Sequence, residues 1–118
     1  MLLNFLKSKI HRATVTEANL HYEGSIAIDK NLMDKAGLLP YEQVDVLNIT
    51  NGNRLTTYVI EAESGSGTIG IQGAAAHLAS KGDLVIICAY CQIDEKNSHG
   101  YKAKNILVNE ENGIEKIS

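Results

Sequence analysis

A serine hydroxyl can attack the carbonyl of the residue before it when the peptide bond between them is strained, and Gly24-Ser25 presents such a pair. Glycine leaves that carbonyl sterically open and tolerates backbone angles that other residues avoid. The attack converts an amide to an ester. The same pair is also an ordinary turn signal, set here between polar Tyr22-Glu23 and the apolar run Ile26-Ala27-Ile28. Other segments carry groups that suit acidic substrates. Arg54, just after Asn51-Gly52, can hold a carboxylate with two parallel hydrogen bonds. Tyr58 has a hydroxyl able to donate a proton. Lys9 and His11 are two apart and share one face if their segment is a strand. Gly73-Ala74-Ala75-Ala76 opens a short helix whose first N–H groups are unpaired and unobstructed by bulky side chains, a plausible carboxylate or phosphate cradle. Each feature has a structural reading too: a turn, surface positions on a hairpin, exposed polar strand residues, a helix packed tightly on a sheet.

Two motifs suggest chemistry that their surroundings do not support. Gly65-Ser66-Gly67-Thr68-Ile69-Gly70 matches the dinucleotide-binding G-x-G-x-x-G. That fingerprint requires a buried strand before it, a helix after it and an acidic residue about 20 positions on, at the tip of the next strand. Glu61-Ala62-Glu63-Ser64 before it is polar, Ile71-Gln72 after it is strand-like, and Asp83 precedes the next strand. Cys88-Ala89-Tyr90-Cys91 supplies two thiols where a structural zinc site takes four ligands, and positions three apart on a strand face opposite sides. His21, His77 and His99 show no metal-ligand spacing.

The elements that must position these groups are short. The 118 residues suit one domain with one core. The longest apolar run, Leu84 to Tyr90, is far below the ~20 residues of a membrane helix and reads as a buried strand. The first residues have neither a basic start nor a small-residue cleavage site, so a secretory signal is not expected. Two cysteines in that setting point to a reducing, cytoplasmic environment. A net charge of −3 with no Lys/Arg cluster argues against nucleic acid. Strands are expected over Lys9–Thr16, Ile26–Ile28, Val44–Ile60 folded about a type I′ turn at Asn51-Gly52, Thr68–Ile71, Leu84–Tyr90, and Ile106–Val108 paired with Ile114–Ile117 across Asn112-Gly113. Short helices are expected at Asn31–Ala36, stopped by Gly37, and at Gly73–Ala79, with a helical turn at Asp94–Ser98. Many short strands with turns every ~8–12 residues predict a mainly β fold, a small barrel or sandwich.

As a set, Lys9-Ile10-His11-Arg12, Asn19 to Ser25, Thr50 to Arg54, Thr57-Tyr58 and Gly73 to Ala76 stand in the order and spacing of the aspartate 1-decarboxylases, and the chain resembles that family over nearly its whole length, less so after Cys91. The resemblance implies a six-stranded double-psi β-barrel with short helices, a homotetramer, and a proenzyme that cleaves itself into residues 1–24 and 25–118. It implies that Ser25 becomes a pyruvoyl group, the covalent cofactor that joins L-aspartate as a Schiff base. In this reading Thr57 hydrogen-bonds the Gly24 carbonyl during processing and later contacts substrate, Tyr58 is the proton donor, and Lys9 and Arg54 bind substrate carboxylates. His11 and Tyr22 lie nearby, and the backbone of Gly73, Ala74 and Ala75 holds a carboxylate. The product is β-alanine, for pantothenate. Gln72 departs from the family's common Asn, which leaves its role open. Thr57 and Tyr58 are neighbours and face opposite sides of an ideal strand, so a shared site needs a bulge or a second subunit. The competing reading is a barrel that never cleaves and serves as a small-anion-binding or interaction module.

Overall fold

The long N-terminal strand β1 (Leu2–Thr14) lies inside the sheet, paired on both edges, in a computed structural model that describes residues 1–118. A short β2 (Glu17–Asn19) follows, then β3 (Ser25–Asp29), helix α1 (Lys30–Ala36), β4 (Gln43–Asn48), β5 (Arg54–Ala62) and β6 (Ile69–Gln72). A 3₁₀ helix at Gly73–His77 precedes β7 (Leu84–Asp94), a second 3₁₀ turn (Glu95–Asn97), β8 (Lys104–Val108) and β9 (Ile114–Ile117). The nine strands are ordered β2-β6-β3-β5-β4-β7-β1-β8-β9. The fold is mainly β, as expected, with more strands than six and with no ladder joining the two ends of that order. No helix is long and apolar enough to cross a membrane.

Alternation of side chains organises the packing. Val44 and Val46 of β4, Val85, Ile87 and Ala89 of β7, Ile10 of β1, and Ile106 and Val108 of β8 all enter one apolar core. The residues between them, among them Lys9, Asp45, Ile86, Cys88 and Asn105, therefore lie on the opposite, outer side of the same strands. Every residue of β3 is buried, because β6 flanks it antiparallel, β5 flanks it parallel, and α1 covers its end.

Polar side chains join segments that the ladders do not. Thr16 Oγ1 accepts from the Ile69 N–H at 2.9 Å and the Thr16 N–H donates to the Ile69 carbonyl at 2.8 Å, so the end of β1 meets the start of β6. The buried Asn112 amide donates to the carbonyls of Thr14 and Gly67, both at 2.8 Å, and its Oδ1 accepts from the Thr14 N–H at 2.7 Å. The buried Asp29 carboxylate caps α1 through the Asn31 N–H (2.8 Å) and also accepts from the Gly65 and Gly67 N–H groups, each at 2.9 Å. That explains the glycine-rich segment. Gly65 and Gly67 take positive φ, 82° and 69°, to turn their N–H groups onto a carboxylate, so the G-x-G-x-x-G match is a structural turn.

The connection between β4 and β5 differs from the expected two-residue turn. It spans residues 49–53, and of Asn51 and Gly52 only the glycine has positive φ. A type I′ turn needs both. Asn48 supplies the reason: its Oδ1 accepts from the N–H groups of Thr50 (2.9 Å) and Asn51 (3.3 Å), which winds a wider loop. Its Nδ2 anchors that loop to the Leu78 carbonyl (3.2 Å) and Asp83 (2.8 Å). The final hairpin falls where Asn112-Gly113 placed it, with Asn112 in the left-handed region.

Candidate active site

Ser25 opens β3 and is 2 % exposed. Antiparallel pairing sets it opposite Gln72, the last residue of β6, and its Oγ donates to Gln72 Oε1 at 3.1 Å, with the Glu23 carbonyl as a longer alternative at 3.4 Å. The long amide side chain at position 72 thus reaches the serine hydroxyl directly. On the other flank, Ile26 pairs with Val59, and continuing that parallel register backward sets Ser25 beside Tyr58 and Gly24 beside Thr57. Gly73 has φ of 70° and packs so closely that a β-carbon there would fall 2.5 Å from Gly24 Cα and 2.8 Å from the Tyr22 carbonyl oxygen. Only glycine lets the 3₁₀ helix start hard against the Gly24 backbone. A cavity of about 390 Å³ lies at this junction, lined by Gly24, Leu55, Thr56, Thr57, Tyr58, Ala74, Ala75 and Leu78. Gly73–His77 is a single tight turn rather than the longer helix expected through Ala79.

The structure thereby brings Gly24, Ser25, Thr57, Tyr58, Gln72, Gly73, Ala74 and Ala75 together. It places Lys9, His11 and Arg54 elsewhere. Cross-strand register aligns Asn105, Lys9, Cys88, Asp45 and Thr56 in one row across the outer side of the sheet, and Leu107, His11, Ile86, Leu47 and Arg54 in the next. The β4–β5 ladder is regular through Thr57 and Tyr58. No bulge turns them to one side, so Thr57 shares the inner side with Leu55 and Val59, and Tyr58 the outer side with Arg54 and Thr56. Tyr58 also lines a second hollow with Tyr41, Gln43, Thr56 and Thr57, where the Tyr41 ring stands 6.3 Å from its own at 40°. Tyr22 is exposed.

Neither Lys9 nor Arg54 has a carboxylate within ion-pairing distance; the three ion pairs present use Lys7, Lys30 and the N-terminus. His11 is held below its ordinary pKa, first by burial and then by the positive charges of Lys9 and Arg12. Its Nδ1 is buried without a partner. A base whose folded pKa is depressed binds fewer protons folded than unfolded, so stability falls as the pH drops through about 6.5 and below. In an NMR titration the His11 ring is expected to titrate below a free histidine, and His11→Gln to flatten the stability loss over that window. A His11 midpoint above the free value would contradict this.

The cysteine pair resolves as two unconnected strand residues. Cys88 is buried, and burial pushes its thiol pKa up; half-buried Cys91 contacts the Tyr101 hydroxyl at 3.6 Å. No cluster of three or more metal-ligating side chains exists. Leu55, Leu78 and Tyr41 line the cavities without having stood out as sequence positions. Leu55 and Leu78 lie on a strand and a loop drawn together by the amides of Asn48, Asn51 and Asn53, which all donate to the Leu78 carbonyl, and Tyr41 signals only an exposed loop.

A small β domain in which a Gly-Ser pair joins a cavity-lining glycine to a buried serine defines a class by what surrounds it, and the comparisons agree. The sequence profile described as aspartate decarboxylase matches residues 1–115, and the chain belongs to that family of decarboxylases. It is similar to the aspartate 1-decarboxylase of Caulobacter vibrioides, at 59% identity over the full length of both chains. It is similar also to those of Phenylobacterium zucineum, at 53% over the full length of both, and Clostridium acetobutylicum, at 52% over all of this chain and 93% of the relative.

Proposed function

We propose that this chain is a pyruvoyl-dependent aspartate 1-decarboxylase: it cleaves itself between Gly24 and Ser25, then converts L-aspartate to β-alanine and CO2 for pantothenate synthesis. The observation that carries the reading is the convergence of Gly24, Thr57, Tyr58, Ala74 and Ala75 on one cavity beside buried Ser25. Gln72 holds the Ser25 hydroxyl, and Thr57 stands beside Gly24 to hydrogen-bond its carbonyl as Oγ attacks. The ester so formed eliminates the Gly24 carboxylate, and water then replaces nitrogen at residue 25, releasing ammonia and leaving a ketone. The residues fit that group: position 25 is buried, has an amide partner in Gln72 and follows directly on Gly24, which lines a cavity large enough for a four-carbon diacid. When present, the ketone supplies an electron sink that accepts the electron pair left by CO2.

The remaining steps belong to side chains. Lys9 and Arg54, cations without an internal counter-ion, grip the side-chain carboxylate of aspartate. The backbone at Gly73, Ala74 and Ala75 receives the other, with His11 and Tyr22 near the entrance. Tyr58 returns a proton to carbon. Because Lys9, His11 and Arg54 occupy the outer side of the sheet and Ser25 and Thr57 the inner, and because β5 has no bulge, a complete site takes residues from two copies; this supports an oligomer with sites between subunits, which we read as the homotetramer that the family resemblance implies. The contacts of Thr16 and Asn112 that tie β1 to β6 support closure of the sheet as a double-psi barrel. Two free thiols suit a reducing cytoplasm.

Intact mass of the purified protein tests the reading. Two polypeptides, 1–24 and 25–118, the larger with a blocked N-terminus, are expected. One polypeptide of 12.8 kDa after prolonged incubation would leave a non-cleaving, anion-binding barrel instead.

A further inference from the structure

We propose that Asn105 is a positioning residue of the substrate clamp, holding the Lys9 ammonium on the outer side of the sheet. The inference rests on the decarboxylase reading given above. Lys9 on β1 and Asn105 on β8 are direct partners in a parallel ladder. Ile106 and Val108 of β8 and Ile10 of β1 enter the core, so Lys9 and Asn105 both stand on the other side, about 4.8 Å apart at the backbone. Asn105 Oδ1 is buried and accepts no hydrogen bond. A buried acceptor left unsatisfied is costly, and native structures rarely keep one without a role. The Lys9 ammonium, with three donors and no carboxylate partner, stands on the directly paired residue and can satisfy it.

The far side of Lys9 explains why an anchor is needed. Across β7, in the same row, lies Asp45, whose Oδ1 accepts from Thr56 Oγ1 at 2.7 Å. A lysine stem is flexible, and an ammonium drawn over Cys88 toward Asp45 would be neutralised there and lost to substrate. Asn105 draws it the opposite way with a neutral acceptor. One donor is fixed while the positive charge remains available for an incoming carboxylate. A carboxylate at position 105 would instead pair with the charge.

Two variants separate positioning from packing. Asn105→Leu keeps the volume and removes the acceptor; Asn105→Asp keeps the shape and adds a competing charge. The readouts are KM and kcat for L-aspartate on cleaved protein, and the dissociation constant for succinate, a non-reacting dicarboxylate, by calorimetry. Asn105→Leu is expected to raise KM and weaken succinate binding about three- to ten-fold with kcat nearly unchanged. Asn105→Asp is expected to do so by more than ten-fold. In a Lys9→Met background Asn105→Leu should add nothing, because the group it positions is gone. Unchanged KM and succinate affinity in Asn105→Leu, or equal losses with and without Lys9, would overturn the proposal, as would a loss of thermal stability alone. Failure of the decarboxylase reading is distinguishable: wild-type protein would then show no turnover of aspartate at all.

Discussion

Ser25→Ala yields a folded, uncut chain of full length that releases no CO2 from aspartate. In the proposed processing step Ser25 supplies the attacking oxygen, and alanine has no hydroxyl to replace it. The fold survives because position 25 is a buried strand residue between β5 and β6, where alanine is sterically smaller and backbone pairing with Gln72 is unchanged. What alanine does remove is the hydrogen bond to Gln72 Oε1. An orphaned acceptor of that kind costs about 1–3 kcal/mol, less if water reaches the amide, so a modest fall in Tm is expected. Activity is lost by the whole catalytic factor, since the ketone cannot form. A denaturing gel and a CO2 assay on one preparation settle it. An uncut Ser25→Ala protein with full activity would end the pyruvoyl hypothesis, and a cleaved one would move the nucleophile elsewhere.

Tyr58→Phe separates the two stages of the chemistry. The substitution keeps the ring, and with it the tilted contact to Tyr41, and removes only the hydroxyl. Tyr58 lies on the outer side of β5 while Thr57 lies on the inner side next to Gly24, so the acyl shift does not require the lost group. Cleavage should proceed at close to the wild-type rate. The carbanion left by CO2 then lacks its acid, and turnover should fall about 10²–10⁴-fold, the usual worth of general acid catalysis. Protonation at the wrong carbon should also consume the pyruvoyl group over repeated turnovers. Cleaved Tyr58→Phe protein with wild-type kcat would remove the residue from the mechanism; uncleaved protein would assign it to processing.

Local chemistry explains which features were readable in the chain. Asp29 before Lys30–Ala36, and Gly37 in the left-handed region after it, mark α1 by its own capping residues. The runs at Ile26, Val44 and Leu84 are strands because burial and β-branching act over a few residues. The same locality hid the first half of β1. Leu2 to Ser8 forms strand because β7 pairs with it from some 80 residues away, and no alternation announces it. The Asn51-Gly52 turn was misread because a side chain three residues earlier, Asn48, overrides the pair's own preference. The site was legible through its residue types and a family pattern. The opposite facing of Thr57 and Tyr58 was legible as well, from alternation along one strand; that Lys9 and His11 share the outer side with Arg54 was not, because it follows from register between distant strands. Asn105 carried no signal for the same reason: its meaning arises only from lying opposite Lys9.

The interior position of β1 has a consequence for how the mature protein is remade after denaturation. β1 lies between β7 and β8 and ends on residues tied to β6 and to Asn112. If the chain is cut after Gly24, this interior strand belongs to a separate molecule. Folding of the precursor is a first-order event, whereas reassembly of the cut form needs an encounter between two chains, with a rate and an apparent stability that depend on concentration. Maturation would then exchange a reversible fold for a kinetically trapped one, in which the small fragment is retained by hydrogen-bonded neighbours on both flanks and, once released into dilute solution, is not readily recovered.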